Sequence, residues 1–208
     1  MATKTSIVNM ALVHLGTAKT IANIETEKST EATVARTVFD TVFEDFLRAH
    51  NWGFARKYAF LGLVSEDTSD SALWNYSYRY PTGCIIIRRI MPDPALLLYP
   101  HTIEYPYEIS TDDQGKLLLT NVVDVRVEYT STVDDINRIP ADAQIALSYY
   151  LAATMAPAVT NGDQFQLGAA AQQKYFAFLE DAKFGSIRGE HSKTPTDDEV
   201  SEFTRGRE

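Results

Sequence analysis

Apolar residues between positions 32 and 47 step by three and one: Ala32, Ala35, Val38, Phe39, Val42, Phe43, Phe46 and Leu47. That spacing lays one continuous stripe along a helix and fits no strand. Ser29 or Thr30 is placed to cap the first N–H groups, and Glu31 sits where the helix dipole favours an anion. Asn51 and Gly53 are poor continuers, so the helix is predicted to stop near His50. A shorter helix over 6–15 precedes it, with Ile7, Met10, Ala11, His14 and Leu15 on one face and Gly16 placed to end it. The polar link between the two helices offers Ile21 and Ile24 as anchors.

After Trp52 the period changes to two. Residues 56–64 suit one strand, and Trp74, Tyr76, Tyr78 and Tyr80 alternate with polar neighbours as a half-buried strand does. Residues 84–90 are apolar enough for burial on both faces, until the Met91–Pro94 run breaks the strand. A hairpin is predicted around the turn Asp112-Asp113-Gln114-Gly115, followed by a strand carrying Val123, Val125, Val127 and Tyr129. Five or six short strands of this kind make a small antiparallel sheet or sandwich.

At Pro140, expected in the first helical turn, the helical period returns. Residues 141–159 are apolar on nearly every side, and Pro157 is expected to kink or end that helix. Asn161-Gly162-Asp163 turns the chain. A last helix over 164–184 then aligns Leu167, Ala170, Ala171, Tyr175, Phe178, Leu179 and Ala182. From Gly185 the chain is polar and short of large apolar residues, which predicts a flexible tail. The expected fold is therefore α+β: a helical bundle from residues 1–55 and 137–184, an inserted β domain at 56–136, and a tail at 185–208.

Composition narrows the class. With 45% hydrophobic and 23% charged residues the chain has the makeup of a soluble globular protein. No run approaches the roughly 20 apolar residues of a membrane span, and the first residues lack the pattern of a signal peptide. Cys84 is the one cysteine, so no internal disulfide forms, which fits synthesis in a cytoplasm. A formal net charge of −9 argues against gripping nucleic acid, though it suits a protein that DNA slides past.

Catalytic and metal motifs are missing. His14, His50, His101 and His191 are scattered, and no HExxH, GxGxxG, P-loop or GxSxG motif occurs. No cofactor, metal or catalytic residue is therefore assigned. His14 reads as a hydrogen-bonded core or rim residue. The acidic pairs Glu44/Asp45, Asp112/Asp113, Asp134/Asp135 and Asp197/Asp198 are sequence neighbours that point apart or sit in turns, so they read as solvated surface. The tyrosine alternation could stack on sugars, and with these acids it defines the competing reading, a glycan-binding or glycan-hydrolysing module. Sheet packing is the commoner use of such residues. The small residues of the third helix (Ala152, Ala153, Ala156, Ala158) permit close approach by a neighbouring chain. A docking arm is available in Phe184, Ile187, Arg188, Phe203, Arg205 and Arg207, with Lys193 among them.

Several patches in order carry a resemblance: SIVNMALVHLGTAKTIANIE, DTVFEDFLRAHNWGFARKYAFL, WNYSYRYPTGCIIIRRI and VRVEYTSTVDDINRIPADAQIALSYYLAATMAPAVT. Together, over residues 6–184, the chain resembles the tail tubular protein A family, the head–tail adaptors of short-tailed bacteriophages. The resemblance implies a structural virion protein without catalysis, in a twelve-fold homo-oligomeric ring between the portal and the tubular nozzle. DNA would pass through its bore without specific binding. It also implies that the C-terminal segment reaches the portal, while the β domain faces the nozzle and tail fibres.

Overall fold

A computed structural model of the chain describes residues 3–66, 73–91, 105–163 and 165–190. The fold is α+β, with four helices and two small antiparallel sheets among the described residues. The chain divides into two compact units: Met1–Phe39 with the segment from Asn137 onwards, and Asp40–Ile136 between them.

The first unit is helical. Helix α1 (Lys4–His14) starts in a reciprocal cap, the Thr3 side chain accepting from the Ser6 N–H while the Ser6 hydroxyl accepts from Thr3 N–H. It ends with Gly16 at φ +70°, where the Gly16 N–H reaches Val13 O and the Thr17 N–H reaches Leu12 O. Those two bonds satisfy carbonyls that the helix end leaves open. The link that follows is pinned from both sides. Asn9 exchanges two bonds with the Ile21 backbone (2.8 and 2.9 Å), and the Arg36 guanidinium donates to the Ile24 and Glu27 carbonyls. Ile21 and Ile24 are buried, as their spacing predicted.

Helix α2 (Thr30–Arg48) begins at Ser29, whose hydroxyl accepts from the Ala32 N–H, and buries the predicted stripe with Val38 at its margin. Helix α3 (Ala141–Val159) packs on α1 and on α4 (Leu167–Glu190). Its expected all-round burial narrows to one broad face of Leu147, Leu151, Met155 and four alanines, with Ile145 and Thr154 at the surface. Pro140 stands just before the helix, because its ψ of 154° is extended; Pro157 lies within the last turn, two residues before the end. The turn at Asn161, Gly162 and Asp163 takes three successive left-handed residues. It hands the Asp163 carboxylate to the Gly168 N–H at 2.9 Å, capping α4. A Cβ at Gly168 would crowd Asp163 and the Ala156 side chain, so a side chain there would push α4 from α3.

The second unit holds both sheets. Strands β1 (Arg56–Phe60), β7 (Arg126–Ser131) and β4 (Cys84–Met91) form one, in the order β1-β7-β4. Strands β2 (Leu63–Glu66), β3 (Tyr76–Arg79), β6 (Gly115–Thr120) and β5 (Tyr107–Asp112) form the other, in the order β2-β3-β6-β5. One core joins them, drawn from Tyr78, Ile87, Ile90, Leu118, Val125, Val127 and Tyr129. The single strand expected over 56–64 is two. At Leu61–Gly62 the chain leaves one sheet for the other, the Leu61 N–H bonding Val125 O while Gly62 O accepts from Arg79 N–H. Alternation persists through such a switch, so the pattern alone does not show it. The expected hairpin forms, with Asp112 opposite Gly115.

Strand β4 also departs from expectation. It alternates, burying Ile85, Ile87 and Ile90, instead of being buried on both faces. Its register against β7 shifts between Ile87 and Arg89. That irregularity lets two consecutive arginines serve one face of β7: Arg88 bonds Thr130 Oγ1 (2.8 Å) and Arg89 bonds Glu128 Oε2 (2.9 Å). The inserted unit starts at Asp40, ahead of the predicted residue 56, because the end of α2 is tied into it by Arg88 and Trp52.

Candidate functional site

The predicted docking arm resolves into three parts. Helix α4 continues to Glu190, six residues beyond its predicted end at Phe184. Gly185 is accommodated there because α4 passes so close to Asp142 at the start of α3 that a Cβ would strike its carboxylate. Phe184 and Ile187 therefore stand on a helix, both exposed, and Arg188 lies within the same helix. Lys193, Phe203, Arg205 and Arg207 lie outside the described residues.

Phe176, which the sequence reading passed over, belongs with them. At 100° per residue it falls within one quadrant of α4 with Phe184 and Ile187. The opposite side, with Ala171, Tyr175, Leu179 and Ala182, is buried. The same quadrant also carries the Glu180–Lys183 ion pair (2.8 Å), so the exposed apolar side chains of α4 stand on a mixed face opposite its covered one. Phe176 is 56% exposed and Phe184 63%, which is unusual for side chains of this size on a helix with a covered alternative.

The β unit has its own exposed apolar face. Tyr58 and Phe60 project from β1, with Phe60 opposite Arg126 of β7 in register. The Arg126 guanidinium lies over both rings, 5.5 Å from the Tyr58 centroid and 5.6 Å from that of Phe60. Phe60 remains 70% exposed. Strand β2, an edge strand, is exposed at all four positions, Leu63 and Val64 included. An open edge with apolar residues is a template for further pairing.

Several of the acidic and tyrosine side chains have structural partners, while Asp197 and Asp198 lie outside the described residues. Glu128, 1% exposed, meets Arg89 at 2.8 Å, Arg56 at 3.4 Å and the Asn51 side-chain amide. Asp112 forms a bidentate pair with Arg79, both bonds 2.8 Å, which draws its carboxyl down to about 2. Glu44 is paired with Arg48 on the surface of α2. Tyr78 is buried with its hydroxyl on Val122 O, while Tyr76 and Tyr80 pack against the β core. A flat tyrosine platform is therefore not what β3 presents. Among the described residues no three His, Cys, Asp or Glu side chains are grouped to hold a metal ion. Among them, too, no helix is long and apolar enough to cross a membrane.

His14 is a rim residue bonded to the core, as read from the sequence. Its Nε2 lies 3.0 Å from the Ser148 hydroxyl, and its ring stacks on Tyr149 at 3.7 Å. Ser148 Oγ also lies 2.7 Å from Ile145 O, so the tautomer of His14 decides which of the two neighbours its hydroxyl proton serves. The Ser148 side chain is fully enclosed. Burial, then the nearby Lys174 ammonium, holds the His14 pKa below its ordinary 6.5. The unfolded chain therefore binds the proton first, so this contribution to stability is complete above pH 6.5 and lost as pH falls through the lowered folded value. Urea midpoints measured between neutral and mildly acid pH are expected to fall for the wild type. They should fall less steeply for His14→Gln; equal slopes would show that the imidazole titrates alike in both states.

No protein-family model matches the chain, and a search of curated proteins found no match.

Proposed function

We propose that this chain is a structural ring subunit, a head–tail adaptor of the short-tailed phage type, that joins a portal to a tail nozzle and leaves a bore for DNA. The observation that carries the proposal is apolar surface left over on both units after each has filled its own core: Phe176, Phe184 and Ile187 on α4, and Tyr58 and Phe60 on β1. Several large apolar side chains left exposed on one element are a mark of a partner surface. Two unlike surplus faces on one chain suit a part that meets a different partner on each side, and a closed ring of such a subunit would use head-to-tail contacts between unlike surfaces. The resemblance of the ordered sequence patches to the adaptor family supports the same reading, and a net charge of −9 suits a bore that must not retain phosphates. In this reading the exposed face of α4 and the segment after it meet the portal, and the β unit meets the nozzle and fibres. Ring number follows the family at twelve.

Mass measurement by light scattering, with negative-stain microscopy of the full chain alone and with its portal, tests this. A closed ring is the expected result. A chain that stays single under both conditions, or one that releases reducing sugar from cell-wall material, overturns it.

A further inference from the structure

The side of the β1-β7-β4 sheet that faces away from the β core is basic, although the chain as a whole carries a charge of −9. Four guanidiniums gather there, Arg56, Arg88, Arg89 and Arg126, and the carboxylate that shares the face with them is Glu128. Three of the four are committed inside the fold. Arg56 and Arg89 hold Glu128, and Arg88 spans Thr130 and the last carbonyls of α2. Arg126 differs. Among the described residues it enters no ion pair or hydrogen bond, and its guanidinium lies over the rings of Tyr58 and Phe60. Both rings are exposed.

We propose that Tyr58, Phe60 and Arg126 form a receptor for a carboxylate carried on an apolar protein surface, and that the nozzle supplies it. The inference rests on the reading above, which sets the β unit against the nozzle, and it names the chemistry of that contact. Covering the two rings with a purely apolar surface would bury the Arg126 guanidinium unpaired, which is costly. A partner that covers the rings must therefore bring an anion, and a carboxylate matches the guanidinium fork with two parallel bonds. Stacking on the rings sets the plane of the guanidinium before binding, and the cover removes the water that screens the pair. A nucleic-acid strand is the poorer occupant. Its grip comes from many phosphate contacts, and three of these four guanidiniums are already held. Arg126 also lies over the ring faces on which bases would stack.

Calorimetry of the full chain with the nozzle protein tests the receptor, with the assembly state read separately by light scattering. Phe60→Ala and Arg126→Gln are each expected to raise Kd about tenfold or more. Arg126→Lys should recover part of that loss, because an ammonium keeps the charge and not the fork. It also decides the matter where another variant lowers the thermal midpoint, since it keeps a long cationic chain over the rings. Added salt should weaken the wild type more than Arg126→Gln, which brings no ion pair to the contact. Variants that bind the nozzle as tightly as the wild type overturn the receptor and leave the ring reading standing. Weakened variants with the salt dependence of the wild type make the contact apolar only and overturn it too, as does a single-stranded oligonucleotide that displaces the nozzle. A wild type that closes into a ring yet binds no nozzle overturns the receptor and the nozzle assignment together; one that stays single and binds none overturns the ring reading as well.

Discussion

Glu128→Ala is expected to destabilise the protein by about 3 kcal/mol, read as a lowered urea midpoint with an unchanged slope. The carboxylate is 1% exposed and accepts from three groups, so its removal strands their charge and their donors at once. The partners do not suffer equally. The Arg89 side chain is 49% exposed and can turn to water, whereas that of Arg56 is only 18% exposed and stays tied to the Asn51 carbonyl. Most of the cost therefore comes from the half-buried side of the network, where Arg56 loses its carboxylate and the Asn51 amide loses its acceptor. Arg89→Ala makes the comparison sharp. It leaves Glu128 with two of its partners and an accessible edge, and should cost nearer about 1 kcal/mol. Equal losses for the two variants would mean that the network behaves as one exposed ion pair, contrary to its burial.

That network also shows where sequence reasoning reached its limit. Helix boundaries, the hairpin and the α+β class were legible because period, caps and turn residues are local signals: the Ser29 cap, Gly16 at positive φ, Asp112 opposite Gly115. Partner choice is not local. Nothing in an alternating run from Arg56 to Val64 says that its second half pairs in another sheet. Likewise, Arg88-Arg89 inside an isoleucine-rich strand shows only that the run is not purely apolar; the shift in register that puts both side chains on one face needs β7 beside it. The candidate surfaces divide the same way. Phe184 and Ile187 stand out as greasy residues in a polar stretch; both are exposed, and their setting is a helix and not a tail. Phe176 was hidden by its neighbours Tyr175 and Phe178 on the predicted stripe; a 100° count would have placed it on the other side. Tyr58, Phe60 and Arg126 passed as ordinary strand residues, since which face of a sheet is covered is decided by the second layer.

The end of α2 gives the other large effect. A helix leaves its last four carbonyls without intrahelical donors, and here the donors can be named. The Ala49 N–H reaches Asp45 O, the Trp52 indole donates to Phe46 O at 3.0 Å, and Arg88 donates to Leu47 O, Arg48 O and His50 O. Trp52 does this while 1% exposed, stacked on Phe46 at 4.8 Å and on Phe54 at 5.6 Å, with the His50 ring at its edge. Trp52→Ala removes the largest fully buried side chain and is expected to cost about 3–5 kcal/mol. Trp52→Phe separates the contributions, because it keeps most of the stacking and loses the donor, so a loss of roughly 1–2 kcal/mol is expected. Arg88→Met should fall between them, since it leaves three carbonyls short of a donor and spares the aromatic stack. If Trp52→Phe proved as damaging as Trp52→Ala, the indole bond to Phe46 and not the packed ring would be what fastens the helix exit. If Trp52→Ala left the urea midpoint unmoved, α2 would be anchored through Arg88 alone.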